Sequence, residues 1–202
     1  MSVIHPVDLL NAYCQGAFPM GDDDGSISWF RPRMRGILPV QEFHVPRRFE
    51  QFLRQCPFEV RWNTAFGDVM RGCADRETTW INESILETYE TLHKVGFAHS
   101  AEVWRGNQLV GGIYGVAIGG AFFGESMFSR ETQASKVALT ALQRRLAERG
   151  FILHDTQWTT PHLAQFGGHE IPSEDYMNLL ERAIRLPATF DESAATVPLV
   201  VR

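Results

Sequence analysis

Apolar positions along this chain recur with two periods, and the changes between them outline its elements. Residues 7–14 (VDLLNAYC) read as a short helix ended by Gly16. Residues 21–26 (GDDDGS) form a loop, Ser28–Phe30 a short strand, Pro32 a break and Gly36–Val40 the next strand. Pro46 suits the first turn of a helix running to about Gln55. Phe58–Trp62 then alternates as a strand. Phe66, Val69, Met70 and Cys73 fall at helical spacing, with Asn63 or Thr64 as cap. Ile85, Leu86, Tyr89, Leu92 and Val95 mark a second amphipathic helix, capped by Asn82, closed by Gly96 and supported by a Glu90–Lys94 pair. From Phe97 the period becomes two. Phe97–Trp104 and Gln108–Ile118 are predicted strands joined through Arg105-Gly106-Asn107, and Ala121–Phe128 returns as a third. Ala134, Val137, Ala138, Ala141, Leu142 and Leu146 form one helical stripe up to Gly150. Phe151–Trp158 is a strand, followed by a short helix around His162–Phe166 and a longer one around Ser173–Arg185. After Leu186 the pattern is weak.

Mixed elements with an antiparallel central block predict an α+β fold. Helix, meander, long helix, strand and helix is also the order of GNAT-type acyltransferases. The break near Pro32 divides the chain into a small N-terminal subdomain, 1–32, and a GNAT-like domain, 33–202.

Length and composition fit one moderate core: 202 residues, 44% hydrophobic and 21% charged. No apolar run is long enough for a transmembrane helix. The N-terminus lacks the basic and apolar regions of a secretory signal. Cys14, Cys56 and Cys73 are odd in number and widely spaced, which argues against a disulfide framework and for a reducing cytoplasm. A net charge of −5 argues against bulk nucleic-acid binding, yet the charge is uneven. Residues 1–30 hold Asp8, Asp22, Asp23 and Asp24 and no Lys or Arg. Residues 31–61 hold Arg31, Arg33, Arg35, Arg47, Arg48, Arg54 and Arg61 against Glu42, Glu50 and Glu59, with no lysine. Arginine forks match phosphate oxygens; a solvated surface face is the plainer alternative.

Chemistry concentrates in two places. Gly111–Arg130 (GGIYGVAIGGAFFGESMFSR) is almost all apolar or glycine but carries one carboxylate, Glu125. A buried carboxylate is costly unless paired, and a substrate amine is the expected partner. Strict alternation sets Phe123, Glu125 and Met127 on one face and Phe122, Gly124 and Ser126 on the other; a bulge at Gly124 would mix them. In the strand Phe151–Trp158, Asp155 and Gln157 are two apart and share a face. A carboxylate beside an amide can hold an amine and accept its proton, or it can decorate a strand end. His154, His162 and His169 match no zinc spacing. Gly124–Phe128 lacks the last glycine of a nucleophile elbow. The glycine-rich hairpin lacks the ending of a phosphate loop. Trp80, Trp29, Phe30 and Tyr13 are aromatics suited either to the core or to base stacking.

Ala12–Met20 (AYCQGAFPM), RGILP at 35–39, FHVPRR at 43–48, TWIN at 79–82 and LHKVGFAHSAEVW at 92–104 are distinctive stretches. Leu109–Arg130, ASK at 134–136, DTQ at 155–157 and Gly167–Pro172 continue the series. In these the chain resembles the bacterial leucyl/phenylalanyl-tRNA–protein transferases, from about Leu9 to Leu180. The resemblance implies transfer of Leu or Phe, sometimes Met, from aminoacyl-tRNA to the N-terminal amine of proteins starting with Lys or Arg. That transfer marks them for N-degron degradation.

It also implies roles: Asp155 and Gln157 for the attacking amine and Glu125 as the pocket glutamate. Ile113, Phe122 and Met127, with Leu142, would line the donor side-chain pocket. Tyr13, Met20 and Trp80 would lie near the 3′-terminal adenosine. Arg31, Arg33, Arg35, Arg47 and Arg48 are the candidates for tRNA phosphates. Three positions depart from the family: Met20 where some members have Trp, Leu142 where some have Phe, and His154 where an aliphatic residue is common. The chain also begins later than long members, so their leader is expected to be missing. The donor ester is already activated, so no cofactor, ATP or metal is expected; the enzyme is expected to act as a cytoplasmic monomer. One alternative is a GNAT-type N-acetyltransferase using acetyl-CoA. Its pyrophosphate turn would fall at Arg130–Ser135, where Gln133 replaces the central glycine. Another is a non-catalytic binder of tRNA or of basic N-termini.

Overall fold

The computed structural model describes residues 4–22 and 24–190; Asp23 of the expected 21–26 loop and residues 191–202 lie outside the described residues. Helix α1 (Pro6–Cys14) starts on His5, whose Nδ1 accepts from the Val7 amide, and it buries Leu9 and Tyr13. Strands β1 (Phe18–Gly21) and β2 (Ile27–Phe30) pair as an antiparallel ribbon. The sequence pattern misses β1, because Pro19 interrupts a run that tertiary pairing holds extended. Strand β3 (Met34–Ile37), helix α2 (Arg47–Leu53), strand β4 (Glu59–Trp62) and helices α3 (Phe66–Ala74) and α4 (Glu83–Lys94) follow.

Asn82 caps α4 as expected, its side chain accepting from the Ile85 amide at 3.0 Å. Neither Asn63 nor Thr64 caps α3. Instead the buried Glu102 carboxylate accepts from the amides of Thr64 (2.9 Å) and Ala65 (3.1 Å), so a distant strand supplies the missing acceptor. Glu90 faces Arg71 at 3.5 Å.

The meander is β5 (Ala98–Arg105), β6 (Gln108–Ile118) and β7 (Ala121–Ser129), followed by α5 (Ala134–Glu148), β8 (Leu153–Gln157), α6 (Pro161–Ala164), β9 (His169–Pro172) and α7 (Ser173–Ile184). Seven strands form one sheet in the order β4-β5-β6-β7-β8-β3-β9. Every neighbour is antiparallel except β7–β8. β3 is shorter than expected, ending at Ile37, and is threaded between β8 and β9.

Both faces of the sheet are covered. One core holds Leu9, Tyr13, Ile85, Tyr89, Tyr114, Phe123 and Tyr176 from α1, α4, β6, β7 and α7. The other holds Phe49, Trp62, Val103, Ile113, Phe122, Val137 and Leu142 from α2, β4, the meander and α5.

Two irregularities shape the centre. Tyr114 pairs with Ser126 but Gly115 pairs with Gly124, so Glu125 is the extra residue of a β-bulge. The bulge inverts the alternation: Phe123 and Phe128 join the first core, Phe122 and Met127 the second. Strands β7 and β8 are parallel only from Ala121–Leu153 to Phe123–Asp155. Beyond that rung they part.

Candidate active site

The parting of β7 and β8 opens a cavity of about 470 Å³. Ile113, Met127, Phe128, Leu139 and Leu163 give it apolar walls, Glu125, Gln157 and His154 a polar floor, and Met20, Arg76, Trp80 and Trp158 its other linings. The bulge turns Glu125 toward α1, where Tyr13 Oη donates to Glu125 Oε1 at 2.6 Å and is itself joined to Tyr89 Oη. Burial pushes the Glu125 carboxyl up to about 7. The Tyr13 and Tyr89 hydroxyls and the Arg35 charge pull the other way, while Asp155 adds to the rise.

Gln157 ends β8 with a left-handed backbone, φ 59°. For a residue with a Cβ this costs on the order of 1–3 kcal/mol, and it breaks the alternation that the sequence implied. The turn brings Gln157 Nε2 to 3.3 Å from Glu125 Oε1, which leaves the amide oxygen as an unused acceptor. The backbone N–H of Gln157 donates to Asp155 Oδ1 at 2.9 Å.

Asp155 is fully buried and saturated. Arg35 forks onto it, Nε to Oδ1 at 2.8 Å and Nη2 to Oδ2 at 2.6 Å, and Tyr176 Oη donates to Oδ2 at 2.6 Å. Its carboxylate therefore positions the Gln157 backbone and does not itself face an incoming amine. Burial and the Asp155 charge raise the Tyr176 hydroxyl far above its ordinary range, so it stays a donor.

The other expected residues divide clearly. Ile113, Met127, Met20 and Trp80 line the cavity, but Phe122 and Leu142, each 1% exposed, lie in the core behind its wall. Tyr13 is fully buried against Glu125 and Phe123, so it cannot stack on an adenosine. Arg35 is 1% exposed and committed to Asp155, with Phe18 and Tyr176 rings against its guanidinium, so it cannot meet a phosphate. Arg31, Arg33, Arg47 and Arg48 are exposed.

Sequence reasoning missed the Arg35–Asp155 pair, Tyr89 and Tyr176, whose partners lie far away in sequence. It also missed Arg76, which donates to Ser126 Oγ at 2.7 Å and the Met127 carbonyl at 2.9 Å. Only the aromatic Trp158, directly after DTQ, carried a local signal. Among the described residues no cluster of His, Cys, Asp or Glu has the geometry of a metal site. No described helix is long and apolar enough to cross a membrane.

Residues 37–181 match the family model described as leucyl/phenylalanyl-tRNA protein transferase, and residues 4–33 match that of its N-terminal domain. The chain belongs to this family. A leucyl/phenylalanyl-tRNA–protein transferase of Phenylobacterium zucineum is 50% identical over 197 residues, covering 95% of this chain and 89% of its own. One from Ruegeria sp. is 49% identical over 195 residues, covering 96% and 93%. The protein is thus an aminoacyltransferase, and the acetyl-CoA alternative finds no support among these relatives. A solved structure of L-PGS from Bacillus licheniformis is similar at TM-score 0.43 and 13% identity, over 78% of this chain and 55% of that one; a likeness this slight carries no conclusion.

Proposed function

We propose that this protein moves leucine or phenylalanine, and also methionine, from charged tRNA to the N-terminal amine of proteins beginning with Lys or Arg, marking them for N-degron degradation. The observation that carries the reading is an apolar cavity whose floor holds the hydrogen-bonded pair Glu125–Gln157. The donor side chain enters between Ile113, Met127 and Leu139. An apolar pocket of this kind discriminates by only about 1–3 kcal/mol per methylene, so several donors without a branch at Cβ are accepted.

The acceptor amine is held by the free oxygen of Gln157, with the Glu125 charge nearby to favour a basic N-terminal residue. An α-amine has a pKa of ~8, so little help is needed to deprotonate it. The neutral amine attacks the ester carbonyl. The new C–N bond forms as the C–O bond to the ribose breaks, the amine loses a proton to solvent and the ribose oxygen gains one. Holding both reactants in place supplies up to roughly 7–11 kcal/mol.

Met20 and Trp80 flank the terminal adenosine, and Arg31, Arg33, Arg47 and Arg48 take tRNA phosphates. The parted strands β7 and β8 and the long helix α5 between them support the GNAT-like assignment. The separate match of residues 4–33 supports a boundary near Pro32. The enzyme works as a monomer in the cytoplasm.

The test is incubation of the protein with Leu-, Phe- and Met-tRNA and peptides that differ only in a first Arg, Lys or Ala. Mass spectrometry should show one added residue on the Arg and Lys peptides. Addition to the Ala peptide at the same rate would refute the acceptor specificity.

A further inference from the structure

The cavity carries a permanent cation in its wall. Among the described residues that line it, Arg76 alone is a Lys or Arg, and it is exposed. Arg76 follows the end of α3, and three hydrogen bonds fix its side chain. Nε donates to the Cys73 carbonyl at 2.7 Å; Nη2 donates to Ser126 Oγ at 2.7 Å and to the Met127 carbonyl at 2.9 Å. These bonds pin the guanidinium to β7 at the two residues that follow Glu125. Among the described residues Nη1 has no acceptor, and no carboxylate pairs with the guanidinium, its chain neighbours Asp75 and Glu77 included.

Arg35 offers the contrast, since its fork is spent on Asp155. A fixed guanidinium with hydrogens to spare suits an incoming anion, and its planar fork matches phosphate oxygens. Most of what this cavity would receive is not anionic. Leucyl, phenylalanyl and methionyl side chains are neutral, and so is adenine. An acceptor beginning with Lys or Arg is cationic, and a bare guanidinium would repel it. One anion remains, the phosphodiester on the 5′ side of the terminal adenosine, a single ribose away from the reacting ester. Trp80, four residues after Arg76, lines the same cavity where the base is expected.

We propose that Arg76 binds the phosphodiester that joins the terminal adenosine to the rest of the tRNA, with Nη1 donating to its oxygens. This rests on the reading that the cavity holds the terminal adenosine and the donor side chain. The same guanidinium holds Ser126 and Met127, so the phosphate and the strand that carries Glu125 are tied to one group. The ribose is thereby set between Arg76 and the Glu125–Gln157 floor. The contact differs in kind from those of Arg31, Arg33, Arg47 and Arg48, none of which lines the cavity. Those would attract the body of the tRNA; Arg76 would act on a single nucleotide.

The experiment compares two inhibitors of Phe transfer from Phe-tRNA to one Arg-initiated peptide. One is amide-linked phenylalanyl adenosine with a free 5′-hydroxyl. The other carries a 5′-methyl phosphate, which reproduces the single charge of the phosphodiester. In the native protein the phosphate form should inhibit roughly tenfold or more tightly, as a charge-assisted contact requires. In Arg76→Gln, which removes the charge but can still donate to the Met127 carbonyl, that advantage should fall to about threefold or less, and Arg76→Lys should stand between. A purely structural role for Arg76 would weaken both inhibitors alike and leave their ratio unchanged. An unchanged ratio in Arg76→Gln overturns the proposal, as does a native protein that gains nothing from the phosphate or ignores both inhibitors. If Gln at 76 prevents folding, the native comparison decides alone. In each of these cases Phe transfer from Phe-tRNA leaves the enzyme's general reading standing. No transfer of Phe at all would overturn that reading, and this proposal with it.

Discussion

Glu125 answers two opposed demands at the scale of a single residue. It must be buried enough to border an apolar slot, yet charged enough to favour a cation. Its carboxyl, pushed up to about 7 by burial, titrates in the working range. The ionised form is the useful one here, so kcat/KM for an Arg-initiated peptide should climb through a limb centred near pH 7. A second limb from the amine itself follows near ~8. Glu125→Gln should erase the first limb, keep the second, and lower activity most for acceptors beginning with Lys or Arg. A pH–rate series with both enzymes checks this; identical profiles would remove Glu125 from the step. Its position in the sequence advertised a carboxylate in a greasy run, but not its partners. Tyr13 and Tyr89 come from helices that only the fold brings to β7.

Between elements, the decisive contact is the Arg35–Asp155 fork, which ties β3 to β8 within a shell of Phe18 and Tyr176. Removing one member of a buried pair strands the other charge, at about 3–5 kcal/mol. Arg35→Ala should lose that much in urea unfolding. The pair replacement Arg35→Met with Asp155→Leu should recover much of the stability but not the turnover, because the Gln157 amide loses its acceptor. Full turnover in the double variant would show that Asp155 does not position Gln157. Helix α4 offers a local counterpart: Asn82→Ala removes a cap that the sequence announced, and should cost about 1 kcal/mol. The α3 start behaves differently. Its acceptor is Glu102 on β5, so substituting Asn63 or Thr64 side chains tests a cap that is not there.

For the whole molecule, charge and protonation set the conditions of use. Arg47 and Arg48 stand exposed on α2. Reversing both to Glu should weaken tRNA binding and shallow the slope of log affinity against log salt; an unchanged slope would move the phosphate contacts elsewhere. Stability should respond to pH through two buried groups of opposite sign. Glu125 keeps its proton up to about pH 7 in the fold against 4.5 as the ordinary value, so its contribution declines as pH rises through that window. His154 is held down to about 4 against 6.5, so its contribution is lost as pH falls from 6.5 toward 4. Thermal melts of His154→Leu should therefore lose less stability than the native protein between pH 6.5 and 4.

Much of the architecture was legible in the chain because it is local. Periodicity marks the meander from Ala98 to Ser129 and the helices α4, α5 and α7, and glycine and asparagine close or open them. The motif blocks carry the family outright. What the chain could not announce depends on strands meeting from far away. β1 and β9 are four residues each and exist through pairing, the bulge at Glu125 is a register shift between β6 and β7, and the cavity is the gap left when β7 and β8 part. Local pattern specifies which backbone a segment prefers; which lone carboxylate, amide and imidazole end up sharing one void is decided by long-range packing, where no sequence period reaches.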